Sequence, residues 1–208
     1  MTDTNIAPEA VEQRVALGPL NRWWPVAASW MVTDKPQGLT RLGEQIAVWR
    51  DKDDAVYCIE DRCPHRGARL SMGWNLGDRI ACWYHGVEIG GDGVVKSVPA
   101  VSECPMVGDK MVKSYPCFEH MGGIFVWFGD ELHEDPDEFD FPEEFVSDEW
   151  SAMLCTAHWK CNWTYAVDNV MDPMHGAYLH AASHSMAAGD TEAKMQLDKT
   201  DTGFVFGK

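Results

Sequence analysis

The sequence predicts an α+β fold in which an all-β region comes first and a helical region follows it. Over residues 38–130, short runs of β-prone apolar residues alternate with turn signals at close spacing. This pattern is typical of a small antiparallel barrel or sandwich. Beyond Trp150 the chain is rich in Trp, Tyr, Ala, Met and His, which favours helices from residue 158 to about residue 186.

The predicted elements follow one another in order along the chain. Residues 1–37 are predicted as an N-terminal arm, because the first residues are polar and mixed and Pro25 argues against a continuing helix. Residues 51–54 and 90–93 are predicted turns, the second of them a tight hairpin turn. Strands are predicted at 45–50, 55–59, 79–82, 94–98, 111–117 and 123–128.

An acidic stretch separates the two regions. Residues 130–149 hold 11 acidic residues, two prolines and no Lys or Arg, so 131–149 is predicted as a connector with a solvated face. A docking patch for a basic partner is the alternative. The second domain is expected at 150–208. Its last residues, 202–208, are typical of a strand with no partner after it, so we expect the chain to be part of a longer protein.

The composition excludes two classes of partner. The 208 residues include 17 Lys and Arg against 33 Asp and Glu, a formal net charge of −16 at pH 7. Such a surface repels nucleic acid and anionic lipid, and no apolar run approaches the roughly 20 residues of a membrane span. The N-terminus lacks the features of a secretory signal, so we expect a cytoplasmic location. In that reducing compartment, grouped cysteines are expected to be metal ligands rather than disulfides.

Two Cys–His pairs form the first candidate metal site. One residue separates Cys63 from His65, and after sixteen further residues Cys82 and His85 follow with two residues between them. Two thiolates and two imidazoles bind either a structural zinc ion or a [2Fe–2S] cluster with cysteines on one iron and histidines on the other. Zinc fingers usually carry like ligands in each pair. Each pair here supplies one of each, which favours the cluster.

The loops CPHRG and CWYHG resemble the two cluster-binding loops of Rieske proteins, which implies a Rieske [2Fe–2S] domain at 38–130. High-potential Rieske proteins carry a disulfide between the loops, but the matching positions here are Ala68 and Tyr84. They also place hydroxyl groups near the cluster sulfurs, where this sequence has Val87 and Ile89. Fewer hydrogen bonds to sulfur stabilise the reduced cluster less, so we expect a potential near about −150 mV, suited to oxygen chemistry.

A second group of candidate ligands lies in the stretch DNVMDPMHGAYLH. By itself, such a pair of histidines is more often structural than metal-binding. Asp172 and His175 are three residues apart and are therefore expected on one helix face. His175 and His180 are five apart, about 140° around a straight helix, so a bulged or broken turn must bring them together. Pro173 and Gly176 are expected to distort the helix in this way.

Together with the Rieske loops, this stretch resembles the mononuclear iron motif of Rieske non-haem iron aromatic ring-hydroxylating oxygenases. The match is to the N-terminal portion of their terminal oxygenase, or α, subunit. The resemblance implies that His175 and His180 bind a mononuclear Fe(II) with open positions for oxygen and substrate. It implies catalytic roles for Asp172 and Asn169. Asp172 would bridge His175 to the cluster ligand His85 of a neighbouring subunit, and Asn169 would lie near the iron.

The resemblance also implies how the chain is completed. The Rieske domain would be followed by the start of a catalytic domain built from helices and an antiparallel sheet. In the family the third iron ligand is an aspartate far downstream, which we expect beyond residue 208. The later acidic candidates within this sequence are Asp190, Glu192, Asp198 and Asp201.

The implied enzyme hydroxylates, dihydroxylates or oxidatively demethylates an aromatic or other apolar organic substrate with O2, as in aromatic hydrocarbon catabolism. Its electrons would come from NAD(P)H through a ferredoxin or flavin reductase, and its assembly would be a homotrimer or α3β3. One alternative is a Rieske-type electron-transfer protein without oxygenase activity, which would not need the second histidine motif. Another is a zinc-stabilised binding module, which would be colourless.

Overall fold

The computed structural model describes residues 8–130, 141, 147–151, 155–172, 174–183, 196–200 and 203–207. By its internal contacts the chain divides into two compact units, Met1–His158 and Trp159–Lys208. The first unit is mostly strands, whereas the second combines helices with a hairpin, so the predicted α+β class is confirmed. Among the described residues, none belongs to a helix long and apolar enough to cross a membrane.

In the described part of the first unit, the regular elements are one α-helix and ten strands. They are α1 (Pro8–Leu17), β1 (Arg22–Ala28), β2 (Gln37–Arg41), β3 (Glu44–Arg50), β4 (Val56–Glu60), β5 (Trp74–Asn75), β6 (Arg79–Ala81), β7 (Glu88–Gly90), β8 (Val95–Ser97), β9 (Cys117–His120) and β10 (Gly123–Phe128).

These strands form three antiparallel sheets, in the orders β1-β10-β9, β2-β3-β4 and β5-β6-β7-β8. Within the first sheet, the register between β1 and β10 shifts between Pro25 and Ala27. A proline has no N–H to donate to the ladder, which makes a bulge the natural place for it in a strand. Strand β1 belongs to the range predicted as an arm, yet it pairs with β10 in the predicted all-β domain. The predicted segment boundaries themselves stay a prediction.

Strand β3 separates two hydrophobic cores. Ile46, Ala47, Val48 and Trp49 are all fully buried, although successive side chains in a strand point to opposite faces. Ile46 and Val48 pack into a cluster with residues of β1 and β10. Ala47 and Trp49 pack into the other cluster, which includes the cysteines of both Cys–His pairs. The candidate metal site is therefore built on the second core.

Both predicted turns are confirmed. At the first, Asp51 Oδ1 accepts the backbone N–H groups of Asp53 and Ala55, each at 2.9 Å. At the second, Gly93 donates its N–H to the Gly90 carbonyl oxygen at 2.9 Å, between β7 and β8. Gly93 has φ +80°, a conformation that glycine adopts without strain.

The strand predicted at 111–117 is wrong, because β9 begins only at the end of this stretch. The stretch is β-prone, but its backbone donors are directed to different partners in turn. Met111 donates its N–H to the Gly93 oxygen at 3.1 Å, and Tyr115 donates to the Cys58 oxygen at 2.9 Å. The stretch therefore crosses between strands and does not form a continuous ladder with either.

The second unit contains helices α2 (Trp163–Val170) and α3 (Gly176–Leu179) and the antiparallel hairpin β11 (Gln196–Thr200) and β12 (Gly203–Gly207). The final strand has a partner that the sequence analysis did not predict, because β12 pairs along its whole length with β11, which precedes it in the chain. The β11 sequence, QLDKT, is mostly polar, and all five of its residues are exposed within the described structure. A strand without a buried face leaves no apolar pattern in the sequence.

Candidate metal centres

The two Cys–His loops share one backbone pattern. In each loop the N–H of the cysteine, Cys63 or Cys82, donates to the carbonyl oxygen five residues later, at 2.8 Å in both. The cysteine carbonyl accepts from the glycine four residues later, Gly67 at 2.9 Å or Gly86 at 2.8 Å. Both glycines have positive φ, +69° and +71°, which the reversal of the chain requires. Each cysteine is thereby held at the base of a tight loop.

The loops bring like ligands together. Cys63 and Cys82 are 2% and 1% exposed, while His65 and His85 are exposed with ring centroids 4.7 Å apart. Burial raises the pKa of the Cys63 thiol and the neighbouring Cys82 thiol raises it further, whereas the backbone N–H groups of His65 and Arg66 lower it. Thiol therefore faces thiol and imidazole faces imidazole. This arrangement suits two irons that each take two protein ligands.

A buried carboxylate closes the first loop. Asp61 is 2% exposed, and among the described residues it is the one charged side chain that is buried. It accepts both the N–H and the O–H of Ser71, each at 2.7 Å. Gly38 leaves room for this contact, because a Cβ there would lie 2.6 Å from Ser71 Oγ. Sequence reasoning missed this pair, whose one signal is an aspartate two residues before Cys63.

Two aromatic side chains stack beside His85, the histidine of the second loop. The Tyr84 ring lies 3.9 Å, centroid to centroid, from the His85 ring, and the Trp83 ring stacks on Tyr84 at 5.6 Å. Tyr84 stands at the position where high-potential Rieske proteins have a disulfide cysteine. A ring contact that orients His85 occupies that position here, a role that sequence reasoning did not assign.

Two adjoining polar clefts border the first loop. The first has a volume of about 420 Å³ and is lined by Glu60, Arg62, Cys63, Pro64, His65, Arg66, Gly67 and Met111. The second, of about 340 Å³, shares Glu60 and Arg62 and is further lined by Gly43, Glu44, Gln45, Lys113 and Tyr115. The exposed His65 therefore lines the first of these clefts.

His175 is surrounded by the other residues predicted for the second site. Its Nδ1 lies 3.6 Å from Asp172 Oδ2, and its Nε2 lies 3.4 Å from Asn169 Nδ2. The His175 and His180 ring centroids are 5.3 Å apart. Within the described residues, His175 Nδ1 is buried without a hydrogen-bond partner. A ring oriented by a nearby carboxylate on one nitrogen can present the other nitrogen to a metal.

The predicted shared helix face is wrong, although the predicted contact is present. Helix α2 ends at Val170 and α3 begins at Gly176, so Asp172 and His175 lie in the turn between them. Asp172 accepts the backbone N–H two residues later at 2.8 Å, a local bond that competes with helix continuation. The broken helix that was predicted to bring His175 and His180 together is confirmed.

The later acidic candidates do not join this group in the described structure. Asp198 is exposed on β11, where it accepts the Gln196 side chain at 2.8 Å. Asp190, Glu192 and Asp201 lie outside the described residues. Among the residues that are described, no three His, Cys, Asp or Glu side chains are close enough to hold a single metal ion.

Two family models match this sequence. One, described as the Rieske [2Fe-2S] domain, matches residues 22–116. The other, the vanillate O-demethylase oxygenase C-terminal domain, matches residues 159–208. The chain belongs to the Rieske oxygenase family. The vanillate O-demethylase oxygenase subunit of Pseudomonas sp. (strain HR199 / DSM 7063) is 34% identical over 165 residues, which cover 79% of this Rieske oxygenase chain and 46% of that protein.

Solved structures of Rieske oxygenases share this architecture. The reduced complex between oxygenase and ferredoxin in carbazole 1,9a-dioxygenase matches with TM-score 0.74 and 29% identity, covering 97% of this chain and 57% of that one. Dicamba monooxygenase with non-heme iron and dicamba matches with TM-score 0.69 and 27% identity, and the match covers 87% of this chain and 50% of that one. This chain thus spans about half the length of the curated relatives it matches.

The predicted cofactors, a [2Fe–2S] cluster and a mononuclear iron, are confirmed as those of the family. The described side chains fit both groups. The first unit offers two buried thiols beside two exposed imidazoles. The second unit offers a histidine whose Nδ1 lies 3.6 Å from a carboxylate, which leaves Nε2 as the nitrogen for a metal, next to a second histidine.

Proposed function

We propose that this chain contributes to the terminal oxygenase component of a Rieske oxygenase. The proposed reaction is O2-dependent hydroxylation, dihydroxylation or oxidative demethylation of an aromatic or other apolar organic substrate. The observation that carries the proposal is the presence of both ligand groups in one chain, in the order in which the two family models match it. A separate electron carrier would not need the second group, which argues against the electron-transfer alternative.

For the cluster, the proposed ligands are Cys63 and Cys82 on one iron and His65 and His85 on the other. The contact between the two thiols and the 4.7 Å separation of the imidazole rings support this division. The bound cluster would supply electrons one at a time, at a potential near about −150 mV. The backbone N–H groups of His65 and Arg66 would hold the Cys63 sulfur in place.

For the mononuclear iron, the proposed ligands are His175 and His180. The iron would supply the activation of O2. Asp172 would orient the His175 ring through Nδ1, and Asn169 would position its amide beside Nε2, as their distances of 3.6 and 3.4 Å support. In the assembled enzyme, Asp172 would also reach the partner subunit's His85 and so connect the two metal groups.

The proposed partners follow from this arrangement. Electrons would come from NAD(P)H through a ferredoxin or flavin reductase, and the oxygenase–ferredoxin complex of the carbazole enzyme supports such a donor. A homotrimer or α3β3 assembly would bring the two metal groups of neighbouring subunits together. A cytoplasmic location is supported by seven cysteines that are all free. The proposed segments are an arm at 1–37, the Rieske domain at 38–130, a connector at 131–149 and the catalytic part at 150–208.

Substitution of one cluster cysteine tests the first half of the proposal. The purified chain is expected to be brown and, after reduction, to give the electron paramagnetic resonance signal of a Rieske cluster. Cys82→Ser should abolish both, because it removes a thiolate ligand. Cys104→Ser, which changes a half-exposed cysteine outside the loops, should leave both unchanged. A Cys82→Ser protein with the wild-type spectrum would refute the ligand assignment.

A further inference from the structure

Asp61 is a buried charge to which the proposed reaction gives no role. It directly follows β4 and lies two residues before the cluster ligand Cys63. Its backbone N–H donates to the Gln45 oxygen at 2.9 Å, which ties it to the start of β3. Its side chain is among the fully buried ones of the described structure. Strand pairing and burial therefore hold the carboxylate in one place beside the first cluster loop.

The hydrogen bonds of Asp61 are those of an ionised carboxylate. Oδ1 accepts the backbone N–H of Ser71 and Oδ2 accepts its hydroxyl, and the side chain donates no hydrogen bond to a described residue. A protonated carboxyl group would need an acceptor for its own O–H. Donors on both oxygens favour the charged form, so a negative charge stays in the core.

No cation among the described residues neutralises this charge. Other engaged carboxylates of the first unit, such as Glu44, Asp78 and Glu119, each have a lysine or arginine nitrogen within 4 Å. Asp61 forms no ion pair with a described residue, and the neighbouring Arg62 is exposed. Water screens a cation at the surface, so Arg62 compensates the buried charge only weakly.

The carboxylate lies close to the cluster ligands in an interior that excludes water. Asp61 and Cys63 are both 2% exposed, and Cys63 packs in one hydrophobic cluster with Leu70, the residue before Ser71. A Cβ at Gly38 would lie 2.9 Å from Asp61 Oδ2, so the backbone closes this side of the carboxylate. Two residues of extended chain span at most about 7 Å. Over such a distance, charges in the interior interact strongly and salt screens them little.

We propose that the Asp61 carboxylate lowers the reduction potential of the cluster, an inference that rests on the proposed function. Reduction adds negative charge, and a fixed negative charge nearby in a medium of low dielectric constant makes that addition less favourable. This contribution is separate from the hydrogen bonds to sulfur on which the expected low potential was based. The buried carboxylate thereby makes the reduced cluster a stronger electron donor.

A redox titration of the cluster-loaded 208-residue chain against mediator dyes tests the proposal. In Asp61→Asn, the equilibrium constant for one-electron reduction should rise at least about tenfold, which corresponds to a potential about 59 mV higher. The electron paramagnetic resonance signal should keep its wild-type g values, because the ligands are unchanged. The shift should persist in 1 M salt, since the charge that was removed is buried.

Two controls separate the charge of Asp61 from its structural role. Ser71→Ala removes the same O–H donor but keeps the carboxylate, so its reduction constant should equal the wild-type value or fall below it. Asp34→Asn removes one exposed negative charge and should change the constant less than about twofold. An Asp61→Asn constant less than about threefold above wild type, or an equal rise in Ser71→Ala, would overturn the proposal.

A second neutral variant covers the case in which Asp61→Asn fails to keep its cluster. Asp61→Ser leaves room for a water molecule to bond Ser71, and the same rise in the reduction constant is expected. A wild-type chain without a Rieske signal would overturn the proposed function and this inference with it. A wild-type signal with no shift in the neutral variants would overturn this inference alone.

Discussion

Asp61 is a buried carboxylate stabilised by hydrogen bonds alone in the described structure. Both its oxygens accept from Ser71, at 2.7 Å each. Moving a carboxylate from water into the protein interior costs about several kcal/mol of folding free energy unless hydrogen-bond donors such as these replace the lost water molecules. Because Asp61 precedes the first cluster loop and Ser71 follows it, this pair joins the two ends of the loop.

Asp61→Asn is therefore expected to destabilise the chain and to loosen the cluster. An amide can accept the Ser71 N–H with its oxygen and donate its NH2 group to the Ser71 hydroxyl. Both hydrogen bonds then lose the contribution of the carboxylate charge, so about 1–2 kcal/mol of unfolding free energy should be lost. Urea unfolding of the apo chain measures this loss, and the rate of bleaching measures cluster retention. Asp34→Asn, at an exposed carboxylate, should change neither. Unchanged stability in Asp61→Asn would contradict the structural role of the pair.

A pH-dependent contribution to stability is expected from Glu119 on β9, whose carboxylate lies 2.6 Å from Arg50 Nη1. Burial raises the pKa of Glu119, but the bond and the positive charge of Arg50 outweigh it and lower that pKa. A lowered folded-state pKa adds stability that is present above the unfolded pKa of about 4.3 and is lost as the pH falls through the folded value.

Glu119→Gln should accordingly reduce the unfolding free energy at pH 7 by less than about 1 kcal/mol, since the pair is partly exposed. At a pH below the lowered folded-state pKa of Glu119, the variant and wild type should approach equal stability, because both side chains are then neutral. Urea midpoints at the two pH values provide the measurement, with Glu103→Gln as an exposed control. A loss that is the same at both pH values would contradict the ionic origin.

At the scale of elements, strand β3 explains how a small unit supports a buried pair of cysteines. Its four consecutive apolar residues, Ile46 to Trp49, are fully buried, so the strand serves two cores at once. Trp49 Nε1 donates to the Gly77 oxygen at 2.8 Å, which ties β3 to the turn between β5 and β6. The sheet that leads to the second cluster loop is thereby anchored to the central strand.

The junction between the first loop and β5 is expected to tolerate no side chain at Gly73. A Cβ there would lie 2.2 Å from the Ala81 carbonyl oxygen of β6. The φ of Gly73 is −85°, which any residue adopts, so the cost of a side chain comes from this contact. Gly73→Ala must separate β5 from β6 and is expected to cost more than about 2 kcal/mol in urea unfolding.

Gly108→Ala serves as the comparison for this element. Gly108 has φ +97° and open space around the position of a Cβ. Its substitution should therefore cost only the backbone strain, about 1–2 kcal/mol. If Gly73→Ala proved no more destabilising than Gly108→Ala, the close approach of β5 to β6 would not hold in solution.

At the scale of the whole chain, the two units offer different donor sets. The first unit supplies two thiols and two imidazoles, which is a full set of protein ligands for a Rieske cluster. The described part of the second unit supplies His175 and His180 without a third ligand close by. Neutral imidazoles hold Fe(II) weakly unless a carboxylate joins them, because Fe(II) is low in the order of divalent affinities.

The 208-residue chain is therefore expected to retain about two irons and to form no product from O2. Iron analysis per chain, after gel filtration in the presence of ferrous iron, provides the measurement. The Cys82→Ser variant is the control and should lose the iron of the cluster. A stable third iron with product formation would show that Asp190, Glu192, Asp198 or Asp201 completes the site.

The sequence by itself determined the residue types of both sites and five of the ten strands described in the first unit, namely β3, β4, β6, β8 and β10. The cluster loops were predictable because Cys, His and Gly recur in two short motifs, where local spacing defines the ligand set. The break between α2 and α3 was predictable for the same local reason, since His175 and His180 lie too far around a straight helix to meet.

Only the tertiary structure decided which groups face each other. It joined Asp61 to Ser71 and placed the Tyr84 ring against His85, through contacts that sequence reasoning did not predict, whereas the pairing of Cys63 with Cys82 and of His65 with His85 was already expected from the two motifs. It also paired the polar strand β11 with β12 and directed the donors of 111–117 to several strands. The physical reason is that buried side chains and hydrogen-bonding groups find their partners among residues distant in sequence. Secondary-structure propensity and motif spacing carry information only about residues that are close in sequence.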